Sequence, residues 1–369
     1  MPLRALLLFL VLPVLAACAS SGGQKADAVM TSAPALTPAP LVIAHRGASA
    51  LRPEHTMEAY ALAIEQGADM IEPDLVMSRD GVLVARHENE LSDTTDVAQR
   101  PEFAARKARK MIDGEQVEGW FSEDFTLAEL KTLRMRERIP HLRSTAFDGQ
   151  FAIATLDEII ELAAAESAKR GRLIGLAPEI KHPTHFQNIG LAMEQPLLDA
   201  LSAHPHTRRA PVLIQSFETT NLRELRRAIP RGGNLRLLQL IGGPDNVPFD
   251  LKHAGTPHTY AELLRGGFED IASYADGIGP PYRMLQLRSE GYGWRSGMVD
   301  AAHAAGLDVI VYTFRPENHF IDAPWQDASK PAERNPEGSI SEIRAYLDAG
   351  INGFFADDPA LGRQAVDGR

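Results

Sequence analysis

Residue types that do chemistry stand at the ends of apolar runs that are typical of buried strands. His45 and Arg46 follow the run LVIA, and Glu72 and Asp74 lie within MIEPDLV. Because side chains two residues apart in a strand project from the same face, both carboxylates of the second run can meet one ion. The spacing therefore predicts a cation site at the end of this strand.

A third carboxylate belongs to the stretch APEIK, in which Glu179 precedes Lys181 by two residues. Three carboxylates, without a cysteine and with few imidazoles nearby, form a hard oxygen site that suits Ca²⁺ or Mg²⁺ rather than a softer metal. Ion pairing with Arg46 and Lys181 is the alternative. Since three acids buried against two bases leave surplus negative charge, a divalent cation accounts for the set better than ion pairing does.

His87 ends a further apolar run, VLVARH, which follows the second strand after only SRDG. A parallel crossover needs about a dozen residues, so this run must return antiparallel as a β-hairpin. A turn at the letters RD places His87 opposite Glu72, and a turn at DG places it opposite Asp74. Both registers predict that His87 lies beside an acidic residue.

The charges of this site indicate a phosphate as substrate. A divalent cation flanked by Arg46 and Lys181 concentrates positive charge in a chain whose formal net charge is −11, and a phosphate suits such a cluster. His45 and His87 then supply what phosphodiester cleavage requires, one group to accept a proton from the nucleophile and another to donate one to the leaving alkoxide. The residues leave open which histidine is the acid, and whether water attacks directly or a cyclic intermediate forms first.

Eight apolar runs with helical stretches between most of them predict an α/β fold, a parallel (β/α)8 barrel. The runs lie at 41–44, 69–76, 173–180, 211–216, 235–241, 275–279, 307–314 and 352–357. Polar residues where several such strands end are the usual sign of an active site at the barrel mouth. Residues 88 to about 154 hold no strand-like run and are too long for a bare loop, which predicts an inserted cap subdomain near that mouth.

Ten short motifs in order closely resemble the glycerophosphodiester phosphodiesterase family, in particular its larger periplasmic members. They are HRGAS, PEHT, GADMIEPDL, SRDG, ARH, APEIK, QSF, YADGIGP, VYTFR and NGFFADDP. The likeness covers about residues 41–366. It implies a phospholipase-C-like TIM barrel that hydrolyses glycerophosphodiesters to sn-glycerol 3-phosphate and an alcohol with a divalent cation, Ca²⁺ in the periplasmic members.

Carried over by motif position, the functional residues of the family coincide with those that the chemistry selects. The catalytic histidines fall on His45 and His87, the metal ligands on Glu72, Asp74 and Glu179, and the substrate-binding residues on Arg46 and Lys181. Two departures concern the neighbours of these residues. Glu88 stands where the family usually has aspartate, and Ala356 precedes Asp357 where it usually has threonine. We expect neither change to abolish activity.

The beginning of the chain predicts a lipid anchor. Residues 1–17 have the basic start and short apolar core of a signal peptide, too short for a convincing transmembrane helix. The letters LAA before Cys18 resemble a bacterial lipobox, so we expect lipidation of this cysteine, the only one in the chain. Residues 18–40, rich in Ala, Ser, Gly and Pro, then form a flexible tether.

These features predict a protein on the periplasmic side of a bacterial membrane. The outer membrane is preferred, because the letters AS after the cysteine lack the aspartate that retains lipoproteins at the inner membrane. The acidic net charge argues against nucleic acid as a partner. The expected partners are a small glycerophosphodiester and, through the anchor, the membrane; nothing in the sequence indicates a protein partner.

Two other functions are compatible with parts of this pattern. A lipid-tethered protein that only binds phosphodiesters would share the anchor and the charged mouth, but it needs no pair of titrating histidines. A phospholipase- or sphingomyelinase-type lyase would share the barrel. The inserted segment lacks an obvious aromatic patch for docking on a membrane, which ranks the lyase lower.

Overall fold

Eight parallel strands close into a barrel in the computed structural model, which describes residues 40–290 and 293–369. In chain order, the first to eighth barrel strands are Leu41–His45, Met70–Glu72 with Asp74–Met77, Gly175–Leu176 with Glu179–Ile180, Val212–Ser216, Leu235–Leu240, Gly277–Gly279, Asp308–Phe314 and Gly353–Ala356. Each pairs in parallel with the next, and the eighth pairs with the first. The predicted (β/α)8 barrel is confirmed, and closure brings all carboxyl ends of the strands to one mouth.

Alternation along the strands carries the functional side chains on the face that fills the barrel. Leu41 and Ile43 belong to the smaller of two apolar clusters, the one inside the barrel. His45, two residues after Ile43, therefore faces the same way. The second strand likewise leads from the interior residue Met70 to Glu72. The polar site is thus the last layer of the barrel interior.

Helices cover the outside of the barrel and pack on it through a second, larger apolar cluster. They are Met57–Glu65, Leu127–Leu130, Leu156–Arg170, Pro183–Asn188, Glu194–Ala203, Thr220–Ala228, Phe249–His253, Tyr260–Arg265, Phe268–Tyr274, Gly297–Ala304, Pro336–Asp348 and Pro359–Asp367. Short 3-10 helices lie at Val97–Gln99, Pro101–Arg106, Ser122–Asp124, Tyr282–Leu285 and Ala323–Trp325. No helix in the described residues is long and apolar enough to span a membrane.

The segment predicted as an inserted cap contains a β-hairpin that the sequence analysis missed. Strands Ala108–Ile112 and Glu115–Gly119 pair antiparallel and are joined at Asp113 and Gly114, both with positive φ. These strands are mostly exposed, so their letters, ARKMI and EQVEG, show no apolar run. A further antiparallel pair, Arg288–Glu290 with Gly293–Arg295, lies outside the barrel sheet.

The hairpin after the second barrel strand is present, but both predicted registers were wrong. Its return strand is Leu83–Ala85, and Val76 lies opposite Val84. The turn therefore has three residues and ends at Gly81, whose φ is +78°, as is common for three-residue hairpins. If this register is extended to His87, the residue opposite is Pro73, and neither Glu72 nor Asp74. The prediction failed because it considered only two-residue turns.

The predictions for residues 1–17 and for the tether up to residue 39 lie outside the described residues.

Candidate active site

Three buried carboxylates meet at the mouth of the barrel. The parallel register places Asp74 opposite Glu179, and Glu72 opposite His45. One oxygen from each of the three acids lies within 4.8 Å of the others, and none of the three residues is more than 5% exposed. The structure thus brings together the three predicted metal ligands.

Burial and mutual repulsion act strongly on these acids. Burial, reinforced by Asp74 and Glu179, raises the pKa of Glu72 well above its usual value. Burial likewise raises the pKa of Glu179 to about 8, although Lys181 opposes the shift. Burial also acts on Asp74, but His55 and Lys181 outweigh it and hold the pKa of Asp74 well below the usual range. Three ionised acids at this place would therefore carry more negative charge than their surroundings neutralise.

This arrangement fits a divalent cation. Oδ1 of Asp74 is buried and has no hydrogen-bond partner among the described residues. Gln215 and the backbone N–H of Arg46 bind the two oxygens of Glu72, at 3.2 and 2.8 Å, and so fix its orientation. A dication would favour the charged forms of all three acids, and their oxygens are ligands that hard cations prefer.

His45 is anchored by a carboxylate from the end of the eighth barrel strand. Its Nδ1 lies 2.6 Å from Oδ1 of Asp357, whose other oxygen contacts Arg143 at 2.5 Å and Arg315 at 3.3 Å. Donation from Nδ1 to Asp357 leaves Nε2 as the ring nitrogen available to a substrate. Burial, together with Arg46, lowers the pKa of His45 to about 4 despite Asp357. The ring is therefore neutral at neutral pH and can accept a proton.

His87 is held in a similar way by the next residue of the chain. Its Nδ1 contacts Oε1 of Glu88, and Arg138 binds Glu88 at 2.6 Å and Glu54 at 2.7 Å. Glutamate in place of the usual aspartate therefore still reaches the ring. Burial, together with Arg46, lowers the pKa of His87 to about 3. An anionic phosphate beside this ring would raise its pKa again.

Arg46 and Lys181 place positive charge beside the acid cluster. Nη1 of Arg46 lies 3.1 Å from Glu54 and its Nε lies 3.4 Å from Asp74, while Nζ of Lys181 lies 2.7 Å from Glu179. Both side chains are nearly buried. Because a guanidinium has five N–H donors and an ammonium has three, each retains donors for a phosphate.

The sharp turn after the first strand depends on a glycine. Arg46 and Gly47 both adopt positive φ, +59° and +88°. A Cβ on Gly47 would lie 2.7 Å from the backbone carbon of Ala59 in the first helix. Glycine therefore lets this helix pack against the turn that carries His45 and Arg46.

The site includes residues to which the sequence analysis gave no role. They are Glu54, His55, Arg138, Arg143 and Asp357. His55 is fully buried, and its Nε2 lies 3.0 Å from Asp74. Asp357 carried a signal, because it follows the interior residue Phe355 by two positions. Arg138 and Arg143 had no such pattern around them, since they belong to an irregular part of the insertion.

One cavity of about 280 Å³ gathers most of these groups. It is lined by His45, Arg46, Glu72, His87, Glu179, Gln215 and several aromatic residues. A cation site, two anchored imidazoles and an arginine in one cavity can bind a phosphodiester and move protons to and from it. On a (β/α)8 barrel, this set defines a metal-assisted phosphodiesterase.

Comparisons with known proteins assign the family. Residues 45–361 match the model of the glycerophosphoryl diester phosphodiesterase family. A glycerophosphodiester phosphodiesterase of Arabidopsis thaliana is 35% identical over 346 residues, which cover 89% of this chain and 86% of the relative. One of Haemophilus influenzae is 32% identical over 294 residues, which cover 75% and 77%. The chain belongs to the glycerophosphoryl diester phosphodiesterase family, as the motifs imply.

Solved structures share the fold. A phosphodiesterase of Oleispira antarctica in complex with the product sn-glycerol-3-phosphate matches with a TM-score of 0.56 and 21% identity, over 89% of this chain and 97% of that one. A glycerophosphodiester phosphodiesterase of Agrobacterium tumefaciens matches with a TM-score of 0.51 and 18% identity, over 87% and 98%.

Proposed function

We propose that this enzyme hydrolyses glycerophosphodiesters to sn-glycerol 3-phosphate and an alcohol. The observation that carries the proposal is the pair of imidazoles, His45 and His87, each anchored at Nδ1 by a carboxylate. Both line the cavity that also contains Glu72 and Glu179 of the carboxylate cluster. Relatives that are 35% and 32% identical to this chain are named for this activity. A protein that only binds phosphodiesters would need phosphate donors but no such pair.

The residues of the site have different tasks in the reaction. Arg46 and Lys181 bind the non-bridging phosphate oxygens and orient the diester. One histidine accepts the proton of the attacking hydroxyl or water at Nε2, and the other donates a proton to the departing alkoxide. A divalent cation on the carboxylate cluster, when bound, would polarise the phosphate and stabilise the charge that develops on it.

The direct test is release of glycerol 3-phosphate from glycerophosphocholine by the purified protein, with Ca²⁺, with Mg²⁺ and with chelator. Turnover that depends on the cation and is lost in His45→Ala supports the proposal. Binding of the diester without turnover under any cation would refute it and would favour a binding protein.

A leaving group that needs no protonation separates the roles of the two histidines. A glycerophosphodiester of p-nitrophenol releases p-nitrophenolate, a stable anion that needs no proton, so the variant that lacks the general acid should recover activity on this substrate. We expect one of His45→Ala and His87→Ala to be rescued and the other to remain slow. Equal rescue of both variants would contradict the division of roles.

We propose Ca²⁺ as the cation. Ca²⁺ accepts six to eight oxygen ligands and binds carboxylates in a bidentate manner, whereas Mg²⁺ is usually held by one or two carboxylates and keeps several waters. Three carboxylates within 4.8 Å of one another match the first pattern better. Calorimetric titration should give tighter binding of Ca²⁺ than of Mg²⁺, and the reverse order would refute the assignment.

We further propose that the protein is anchored to a bacterial membrane, on its periplasmic side, through lipid on Cys18. The lipobox-like residues before this cysteine and the segment after it, which is rich in Ala, Ser, Gly and Pro, support the proposal. Cells grown with labelled palmitate should yield labelled wild-type protein and unlabelled Cys18→Ala. An unlabelled wild-type protein would contradict the anchor.

A further inference from the structure

A second cavity adjoins the catalytic one, and apart from Glu179 and Lys181 its lining residues have no role in the mechanism above. It has a volume of about 630 Å³ and shares two lining residues, Glu179 and Phe217, with the smaller cavity. Lys181 lines the larger cavity only. Its lining also includes Asp113 and Glu115 of the inserted hairpin.

The sizes of the two cavities suggest how a diester divides between them. Ligand sites usually have volumes of about 300–1,000 Å³, so the catalytic cavity, at about 280 Å³, has room for the phosphate and one small polyol. The other organic group then extends past Glu179 and Phe217, where the two cavities meet. Lys181, beside Glu179, stands at this junction.

The larger cavity holds a buried acid without a basic partner. Glu218 is 4% exposed and accepts hydrogen bonds from the hydroxyl and the backbone N–H of Thr184. No lysine, arginine or histidine forms an ion pair with it in the described part of the chain. Burial raises the pKa of Glu218 to about 8, so a cation bound beside it would favour the charged form of this acid. A cation bound beside it would supply the missing charge.

The rim of the larger cavity has more unpaired acids than unpaired bases. Glu115 and Asp245 are exposed and form no ion pair in the described residues, whereas Asp113 pairs with His182 at 2.5 Å. Lys252 is the one rim lysine that has no acidic partner among those residues. The entrance therefore favours a positive group over a negative one.

Aromatic rings complete the lining. Phe217 and Tyr260 both line the larger cavity, Nζ of Lys181 lies 5.6 Å from the centroid of the Phe217 ring, and the Tyr260 hydroxyl donates to the carbonyl of Phe217 at 2.9 Å. A Cβ at Gly242 would lie 2.6 Å from the Tyr260 ring, so the glycine lets this ring pack against the loop. Aromatic faces next to a carboxylate are the usual surroundings of an ammonium or quaternary ammonium group.

We propose that the larger cavity holds the alcohol portion of the diester and favours an alcohol that carries an ammonium or quaternary ammonium group over a neutral one. Glu218 provides the charge, Phe217 and Tyr260 provide the rings, and the acidic rim attracts the cation. This inference rests on the proposed hydrolysis and names the class of diester that the enzyme prefers.

Glu218→Gln tests the inference with little change of shape, because glutamine can still accept from Thr184. The measured quantity is kcat/KM on glycerophosphocholine divided by kcat/KM on glycerophosphoglycerol, compared between variant and wild type so that differences between leaving groups cancel. We expect this ratio to fall roughly tenfold, the loss expected for one charged contact in a partly buried site. Inhibition by tetramethylammonium should weaken in parallel.

The exposed rim gives a second test that does not depend on a buried substitution. Asp245→Lys should lower the same ratio roughly threefold at low salt and less at high salt, since exposed charges are screened. Glu65→Lys is the matched control, because this exposed acid ends the first helix at the opposite end of the barrel; it should leave the ratio unchanged.

The outcomes separate this inference from the proposed function. Turnover of both diesters with a ratio unchanged in Glu218→Gln and Asp245→Lys overturns the inference alone. No turnover of either diester by the wild-type enzyme overturns the proposed function, and the inference with it. If Glu218→Gln does not fold, an unchanged ratio in Asp245→Lys is sufficient to overturn the inference.

Discussion

The substitution Asp357→Asn tests whether a carboxylate positions His45. Asparagine keeps the shape but removes the charge behind a 2.6 Å hydrogen bond, at a residue that is 2% exposed. A hydrogen bond to a charged group contributes about 1.5–3 kcal/mol, and about 1.4 kcal/mol corresponds to a factor of ten in rate. We therefore expect kcat to fall roughly 10- to 150-fold. KM should change little, because Asp357 does not line the catalytic cavity.

Loss of this charge also has an electrostatic signature. Arg143 and Arg315, which both contact Asp357, would keep their charges and disfavour protonation of His45. The limb of the pH–kcat profile that belongs to His45, whether it acts as the base or as the acid, should therefore move to lower pH. Steady-state hydrolysis of glycerophosphocholine at saturating cation, measured across the pH range, gives both readouts.

The neighbouring acid supplies the control. Asp358 is equally buried, accepts a hydrogen bond from the backbone N–H of Leu361 at the start of the last helix, and pairs with Arg334. Asp358→Asn should lower the melting temperature and leave kcat unchanged, because within the described residues no hydrogen bond or ion pair joins Asp358 to His45. Wild-type kcat in Asp357→Asn, or equal losses of kcat in the two variants, would refute the positioning role.

Three other perturbations address the cation site, the histidines and the turn. Glu179→Gln should weaken calcium binding about 100-fold in calorimetry, because one of three anionic ligands is lost; unchanged affinity would place the cation elsewhere. The folded-state pKa values of His45 and His87, about 4 and about 3, lie below the ordinary 6.5. The unfolded chain therefore binds more protons between those values, so the metal-free protein should lose stability as pH falls from about 6.5 towards 4. Thermal denaturation in chelator measures this, and His45→Gln should show a shallower slope. Gly47→Ala should cost about 2–4 kcal/mol in urea denaturation because the new Cβ meets the first helix, whereas Gly149→Ala, at a similar φ of +77° in open space, should cost about 1 kcal/mol. Equal costs would refute the role of that contact.

Local patterns in the chain were sufficient for the barrel and for most of the candidate site. Strand alternation has a period of two residues, so the letters around Ile43 and His45 determine which side chains share a face. Parallel strands in a closed barrel end at the same mouth, so groups at strand ends, such as Glu72 and Glu179, can be expected to meet. The register of the hairpin could not be predicted from local patterns, because the letters SRDG are compatible with a turn of two residues and with one of three. A change of one residue in the length of the turn moves His87 by one position along the partner strand.

The sequence by itself thus determined the class of fold, the chemistry of the cation site and the two imidazoles, since each depends on residue type and short-range spacing. Only the tertiary structure decided which carboxylate anchors His45, because Asp357 lies 312 residues away along the chain. It likewise decided that Arg138 and Arg143 reach the site from the insertion, and that a second cavity opens beside Glu179. Such contacts arise when distant segments pack together to bury their apolar surface, and no local pattern in the sequence specifies them.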